Sequence, residues 1–219
     1  EFNTGVDYTS AKVNFTIEKE KSFLSFGLEG TKYNVNPGAI YPGDLSSEVL
    51  TELSDTELGT EIGIYANAEL QLTDNLKLLS GVRLSGFALS GTKEVRDYST
   101  DGYFEVNSLL STEVKDGGFI DPTFGWEPRV ALNLTLNESS SVKLGYNRTY
   151  QYLSQVSNSV AATPIDFWKL TDNNIKPQSA HALSLGLYKN FKDNLWQTSA
   201  EVYVRQVENS LAYIDFADL

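Results

Sequence analysis

The side chains capable of chemistry fall into two groups. The first comprises charged residues inside stretches of alternating polarity, on the polar side: Lys77, Arg83, Arg129, Lys143, Arg148, Glu201 and Arg205. Bases gathered in an enclosed space attract an anionic solute or guide its path. The same residues also pair with acids from a facing element. Arg83, Arg129, Arg148 and Arg205 are the candidate ligand contacts of this group. The second group is aromatic and lies in polar connecting segments: Tyr41, Tyr103, Phe104, Phe167 and Trp168. Such rings either touch a ligand or pack the segments together.

Catalytic constellations are missing. His181 is the only histidine and has no second metal-type ligand at useful spacing, so no metal site is expected. The acids Asp97, Asp101, Asp116, Asp121, Asp166 and Asp172 form no calcium-loop pattern. No nucleophile elbow, phosphate loop or dinucleotide fingerprint occurs. Neither an enzyme nor a bound cofactor is expected.

The balance of 17 basic against 29 acidic residues repels a polyanion, which argues against nucleic acid as a partner. The chain lacks cysteine, so disulfides and thiolate sites are excluded within it. No apolar run is long enough for a membrane-crossing helix. The sequence has no methionine and opens on Glu1-Phe2 without a signal-peptide pattern, so it reads as an interior or processed segment.

The elements that must hold these residues are written in period two. Ile62, Ile64, Ala66, Ala68, Leu70 and Leu72 alternate with Gly63, Tyr65, Asn67, Glu69 and Gln71. The same alternation recurs at Leu76–Leu84, Val130–Leu136, Leu183–Leu187 and Trp196–Val204, and in shorter form around Phe15, Phe26 and Leu144. About eight strands of roughly 9–13 residues result, the length that crosses a bilayer at a tilt. Four short polar turns, at 18–21, 73–75, 137–140 and 192–194, interleave with three long polar segments, at 35–58, 91–125 and 154–179. A helical turn is expected around Leu45–Leu53.

Alternation alone does not say whether the apolar face meets lipid or a protein core; soluble sandwiches and lipocalin-like barrels alternate too. Loop asymmetry separates them. Compact soluble domains rarely carry loops this long, whereas outer-membrane barrels have brief periplasmic turns and long extracellular loops. Aromatics near strand ends suggest two interfacial girdles: Phe23, Phe191 and Trp196 by the short turns, Trp126, Tyr150 and Tyr152 by the long segments. The expected fold is therefore all-β, an antiparallel transmembrane β-barrel segment of up-and-down strands spanning residues 1–219.

Three stretches carry a family resemblance. Trp126-Glu127-Pro128-Arg129 leads through a turn to Tyr146-Asn147-Arg148-Thr149-Tyr150; Asn174-Ile175-Lys176-Pro177-Gln178 precedes the next strand; Thr163-Pro164-Ile165-Asp166-Phe167-Trp168 lies between. Together, over about residues 60–215, they resemble TonB-dependent outer-membrane receptors. Gln178 and Ile175 depart from the commoner acid and leucine of that pattern. The resemblance implies a partial barrel without its plug domain, TonB box and terminal aromatic strand. It implies uptake of a scarce nutrient across the outer membrane of a Gram-negative bacterium: siderophore iron first, then haem, cobalamin, an oligosaccharide or a peptide. Its partners would be the TonB-ExbB-ExbD complex, acting through the plug, the lipid bilayer and, for the branch suggested by 163–168, a surface lipoprotein. Two other readings stand beside it: a small barrel with a structural or adhesive role, and a soluble carbohydrate-binding β-sandwich.

Overall fold

The computed structural model describes residues 2–40, 52–53, 55–99, 108–156, 166–192 and 195–211. Its strands are β1 (Phe2–Lys19), β2 (Ser22–Ile40), β3 (Glu52–Leu53), β4 (Glu57–Thr73), β5 (Leu76–Tyr98), β6 (Leu109–Asn137), β7 (Ser140–Gln151), β8 (Leu153–Val156), β9 (Phe167–Leu170), β10 (Gln178–Phe191) and β11 (Trp196–Glu208). One antiparallel sheet runs in the order β1-β2-β4-β5-β6-β7-β10-β11, with β3 on β2 and β8-β9 as a separate hairpin. The eight strands of the main path are those expected from the alternation. Every neighbour in the path is the next long strand of the chain, the up-and-down topology.

All the short turns lie at one end. Two of them show why they are tight. Thr73 Oγ1 accepts the Asn75 and Leu76 amides at 3.3 and 3.1 Å. Asn137 Oδ1 accepts the Ser139 amide and hydroxyl, both at 3.0 Å. Side chains that satisfy turn backbone fix the hairpin register.

Register then propagates the alternation across the sheet. Phe15 faces Phe26, Phe26 faces Ala66, Ala66 faces Val82, and Val82 faces Pro128. Leu132 faces Leu144, Leu144 faces Leu185, and Leu185 faces Val202. One face is thus continuously apolar, and no second layer of the described residues covers it. Ile64 is 56 % exposed and Val202 63 %. A soluble sandwich would bury this face against a second sheet.

Six of the eight main-path strands are longer than expected, 14 to 29 residues, while β7 and β11 have the expected 12 and 13. The difference comes from the long segments. Residues 91–98 and 109–125 are not a loop but a paired extension of β5 and β6. Its alternation is broken by three register shifts, at Phe87/Leu89, Ser90/Thr92 and Asp97/Tyr98, which hide the pattern from a period-two reading. At the first shift Asp121, at φ 50°, and Pro122 together stand opposite Ala88. Proline lacks the amide that a regular ladder needs and is tolerated at a bulge. The expected helical turn is replaced at Glu52–Leu53 by strand pairing with Ala39 and Ile40; its remaining positions lie outside the described residues.

The buried core is small and sits on the opposite, polar face at the long-loop end. Val35, Phe87, Leu89, Val95, Ile120, Tyr152 and Leu170 form it. The β8-β9 hairpin, following β7, packs against β1, β2 and β4, and so lies across the inner face.

Candidate functional site

Two clusters on the inner face carry the chemistry. The first centres on Arg83. Its Nε meets Glu29 at 2.7 Å and its Nη2 meets Glu61 at 2.6 Å, while Nη1 pairs with Glu127. The Tyr33 hydroxyl donates to Glu61 at 2.9 Å, and Ser85 donates to Glu127 at 2.9 Å while bonding Tyr152 at 2.7 Å. These groups come from β2, β4, β5 and β6, with Tyr152 from the junction of β7 and β8, and they meet on the inner face. Three carboxylates around one guanidinium leave the wall negative here, even with Lys12 3.4 Å from Glu29. Arg83 therefore does not act as a free base for an anion.

The second cluster centres on Glu57, 3 % exposed at the start of β4. It pairs with Lys93 at 2.5 Å and with Lys169, and accepts the Leu170 amide at 3.0 Å. Lys169 also meets Asp172 at 3.0 Å. Burial pushes the Lys169 ammonium down, but Asp172 and Glu57 beside it prevail and hold it above its ordinary 10.5. Further pins hold the segment after β9. Asp172 Oδ1 accepts the Asn174 and Ile175 amides, both at 2.9 Å. Asn173 and Asn174 donate to the Arg96 carbonyl at 2.9 and 2.8 Å. Leu170 fits because Gly59 beneath it has no Cβ; one added there would sit 2.8 Å from the Phe87 ring and 3.0 Å from Leu170.

Glycine does related work lower on the wall. The Arg83 guanidinium lies over Gly63, and the Tyr65 ring over Gly27. Tyr188 covers Gly186, with Lys143 4.5 Å from its ring centre and Glu201 accepting its hydroxyl at 2.7 Å. Long side chains thus lie flat along the inner face and leave the space beyond it open.

The remaining expected residues divide by register. Arg129 and Arg205 take inward, exposed positions opposite Gly81 and Ala182, with no ion-pair partner among the described residues. Arg148 shares a row with Leu144 and Tyr146 and lies cross-strand from His181. Its guanidinium lies 4.8 Å from the Tyr150 ring centre, and its Nε has no hydrogen-bond partner. Tyr150 in turn packs against the core on the inner face. His181 Nδ1 bonds the Tyr146 hydroxyl at 2.9 Å, and the described residues contain no metal-type cluster. Trp168 packs on the core, whereas Phe167 lines a groove beside β5. Tyr103 and Phe104 lie outside the described residues. Of the expected girdle, Trp126, Phe191 and Trp196 take apolar-face positions. Phe23 falls in the inward row of Ser25, and Tyr152 is buried against Phe87, rings stacked at 5.1 Å. Sequence reading missed this cluster: Glu57 and Lys93 fall in segments read as long loops, and Lys169 lies in β9, a four-residue strand that carries no periodic signal.

Residues 1–218 match the family described as TonB dependent receptor-like, beta-barrel. The chain belongs to this family. Its uncovered apolar face is therefore the lipid-facing surface of a barrel wall, and the two clusters face the lumen. Solved TonB-dependent receptors share the fold. The copper transporter OprC is 15 % identical with a TM-score of 0.58, covering 94 % of this chain and 31 % of its own. The FrpB iron transporter of Neisseria meningitidis is 14 % identical at 0.59, covering 94 % and 29 %. The hemophore receptor HasR of Serratia marcescens, solved with its hemophore HasA and heme, is 13 % identical at 0.52, covering 95 % and 33 %. The chain thus spans about a third of the length of these structures. No curated protein matches it.

Proposed function

We propose that this chain is part of the barrel of a receptor that carries a scarce nutrient across the outer membrane of a Gram-negative bacterium. The rest of the barrel, a plug domain and the TonB box belong to segments outside it. The TonB-ExbB-ExbD complex energises transport through the plug, and a surface lipoprotein is a candidate accessory. The observation that carries this reading is the sidedness of the wall. Its apolar face suits lipid, its polar face is kept flat by glycines, and one end is narrowed by an inward-folded hairpin while the other ends in short turns. Arg129 and Arg205 are assigned to the cargo's path through the lumen. Tyr103, Phe104 and Phe167 are assigned to cargo contact at the mouth.

The test is a gene deletion in the source bacterium, compared with loss of TonB, during growth limited for one nutrient at a time. Both deletions are expected to abolish growth on the same nutrient. Unchanged growth of the receptor deletion under every limitation contradicts the reading.

A further inference from the structure

One polar row crosses the lipid side of the wall near the short turns. Ser140 on β7 faces Lys189 on β10, and Lys189 faces Thr198 on β11. The next lipid-side row away from the turns is apolar: Val142, Leu187 and Ala200. The next toward the turns holds the paired Phe191 and Trp196, both exposed. Lys189 Nζ lies 5.1 Å from the Phe191 ring centre. The side chain thus bends from its apolar surroundings toward the turn, as a lysine does when it brings its ammonium to the headgroups. Between Lys189 and His181, the next polar lipid-side residue of β10, lie Leu187, Leu185 and Leu183. Over that distance a tilted strand rises about 26 Å, the scale of the apolar band of an outer-membrane barrel. Lys189 therefore stands at the membrane boundary.

Its charge is uncompensated on this face. Lys77, on the inner face, pairs with Glu69, whereas Lys189 has no ion-pair partner among the described residues. No lipid-side position from Ser140 to Tyr146, from His181 to Phe191 or from Trp196 to Gln206 is an acid. Glu138 and Lys192 belong to the adjoining turns, and Asp193 lies outside the described residues. The hydroxyls of Ser140 and Thr198, on either side of Lys189, make no hydrogen bond to another described residue. An ammonium between two hydroxyls offers donors to one phosphate. The leucines beside it suit acyl chains, and the two rings suit the ester level of the bilayer.

We infer that the row Ser140, Lys189 and Thr198 binds the phosphate of an anionic glycerophospholipid, phosphatidylglycerol in kind. A zwitterionic lipid brings an ammonium that meets no lipid-side acid here, so net negative charge is preferred. The site lies outside the lumen and goes beyond the transport reading. It takes from that reading only that the short turns face the periplasm, where the leaflet is phospholipid.

The experiment uses the full-length receptor, with any cysteine elsewhere replaced by serine, in phosphatidylcholine vesicles. A bimane probe at Ala200→Cys reads the lipid beside the row. A second probe at Ala68→Cys reads a lipid-side position of β4 among Leu24, Leu70 and Ser80, where no base stands. Quenching by brominated phosphatidylglycerol, against brominated phosphatidylcholine with the same chains, gives the local preference for the anion. The preference is expected to be about fivefold at position 200, the worth of one lysine beside an anionic headgroup, and absent at position 68. Lys189→Gln should remove it, Lys189→Arg should keep it, and Thr198→Val should reduce it. Heat-modifiable gel mobility verifies that each variant is folded. Equal preference at the two probes, a preference that survives Lys189→Gln, or quenching by brominated phosphatidylethanolamine as strong as by phosphatidylglycerol would overturn the inference. Loss of the lipid preference with intact TonB-dependent growth leaves the transport reading standing. A gene deletion without a growth phenotype counts against transport and leaves the lipid site standing.

Discussion

At the scale of single residues, Glu57 does the most to fix the inner architecture. It is buried, and two lysines and one backbone amide depend on it. Removing one partner of a buried pair leaves uncompensated charge and costs about 3–5 kcal/mol. Glu57→Gln is therefore expected to loosen the β8-β9 hairpin by that order, read as faster hydrogen exchange at the Leu170 and Thr171 amides with exchange in β10 unchanged. Lys169 sets the pH dependence of the same contact. Its pKa is raised in the folded protein, so its contribution is fully present below its unfolded value near 10.5 and is lost as pH rises through the higher folded value. Exchange at Leu170, corrected for its intrinsic base catalysis, should stay flat through neutral pH and rise only above that value. Loosening between pH 6 and 9 would contradict the assignment.

At the scale of elements, neighbouring positions on one strand face different solvents. In β10, Leu185 takes the lipid face and Ser184 the lumen. Arginine near the bilayer midplane costs about 2–4 kcal/mol on the lipid face. Leu185→Arg should lower stability in lipid-vesicle unfolding by that order, and Ser184→Arg by under about 1 kcal/mol. Equal costs would mean that the strand does not separate lipid from lumen. The period-two pattern that makes this forecast was fully legible in the sequence, because side-chain alternation is a property of any strand with two unlike faces. The pairing of 91–98 with 109–116 was not legible. Its bulges and glycines (Gly91, Gly117 and Gly118, all at positive φ) reset the phase too often for a period to show. Tyr152 was misplaced for a related reason: an aromatic beside a strand end has the same sequence signature whether it meets headgroups or a buried neighbour.

At the scale of the whole molecule, the chain is a curved wall with a lipid side and a lumen side, and its two edge strands, β1 and β11, have one partner each in the main sheet. Polar groups along such edges require completion by further strands, which accords with a chain that spans about a third of its structural relatives. The identity of the family rested on motif order in the sequence, and the lumen clusters emerged only when five strands were brought together. This chain contains no cysteine, so, once any cysteine elsewhere in the receptor is replaced by serine, single cysteines report its sidedness. Spin labels placed one at a time from Leu183 to Leu187, in the full-length receptor reconstituted into bilayers, test the central claim through accessibility to oxygen against a water-soluble nickel chelate. Positions 183, 185 and 187 should favour oxygen and positions 184 and 186 the chelate, with a period of two. Uniform chelate accessibility, or the opposite phase, would contradict the membrane wall.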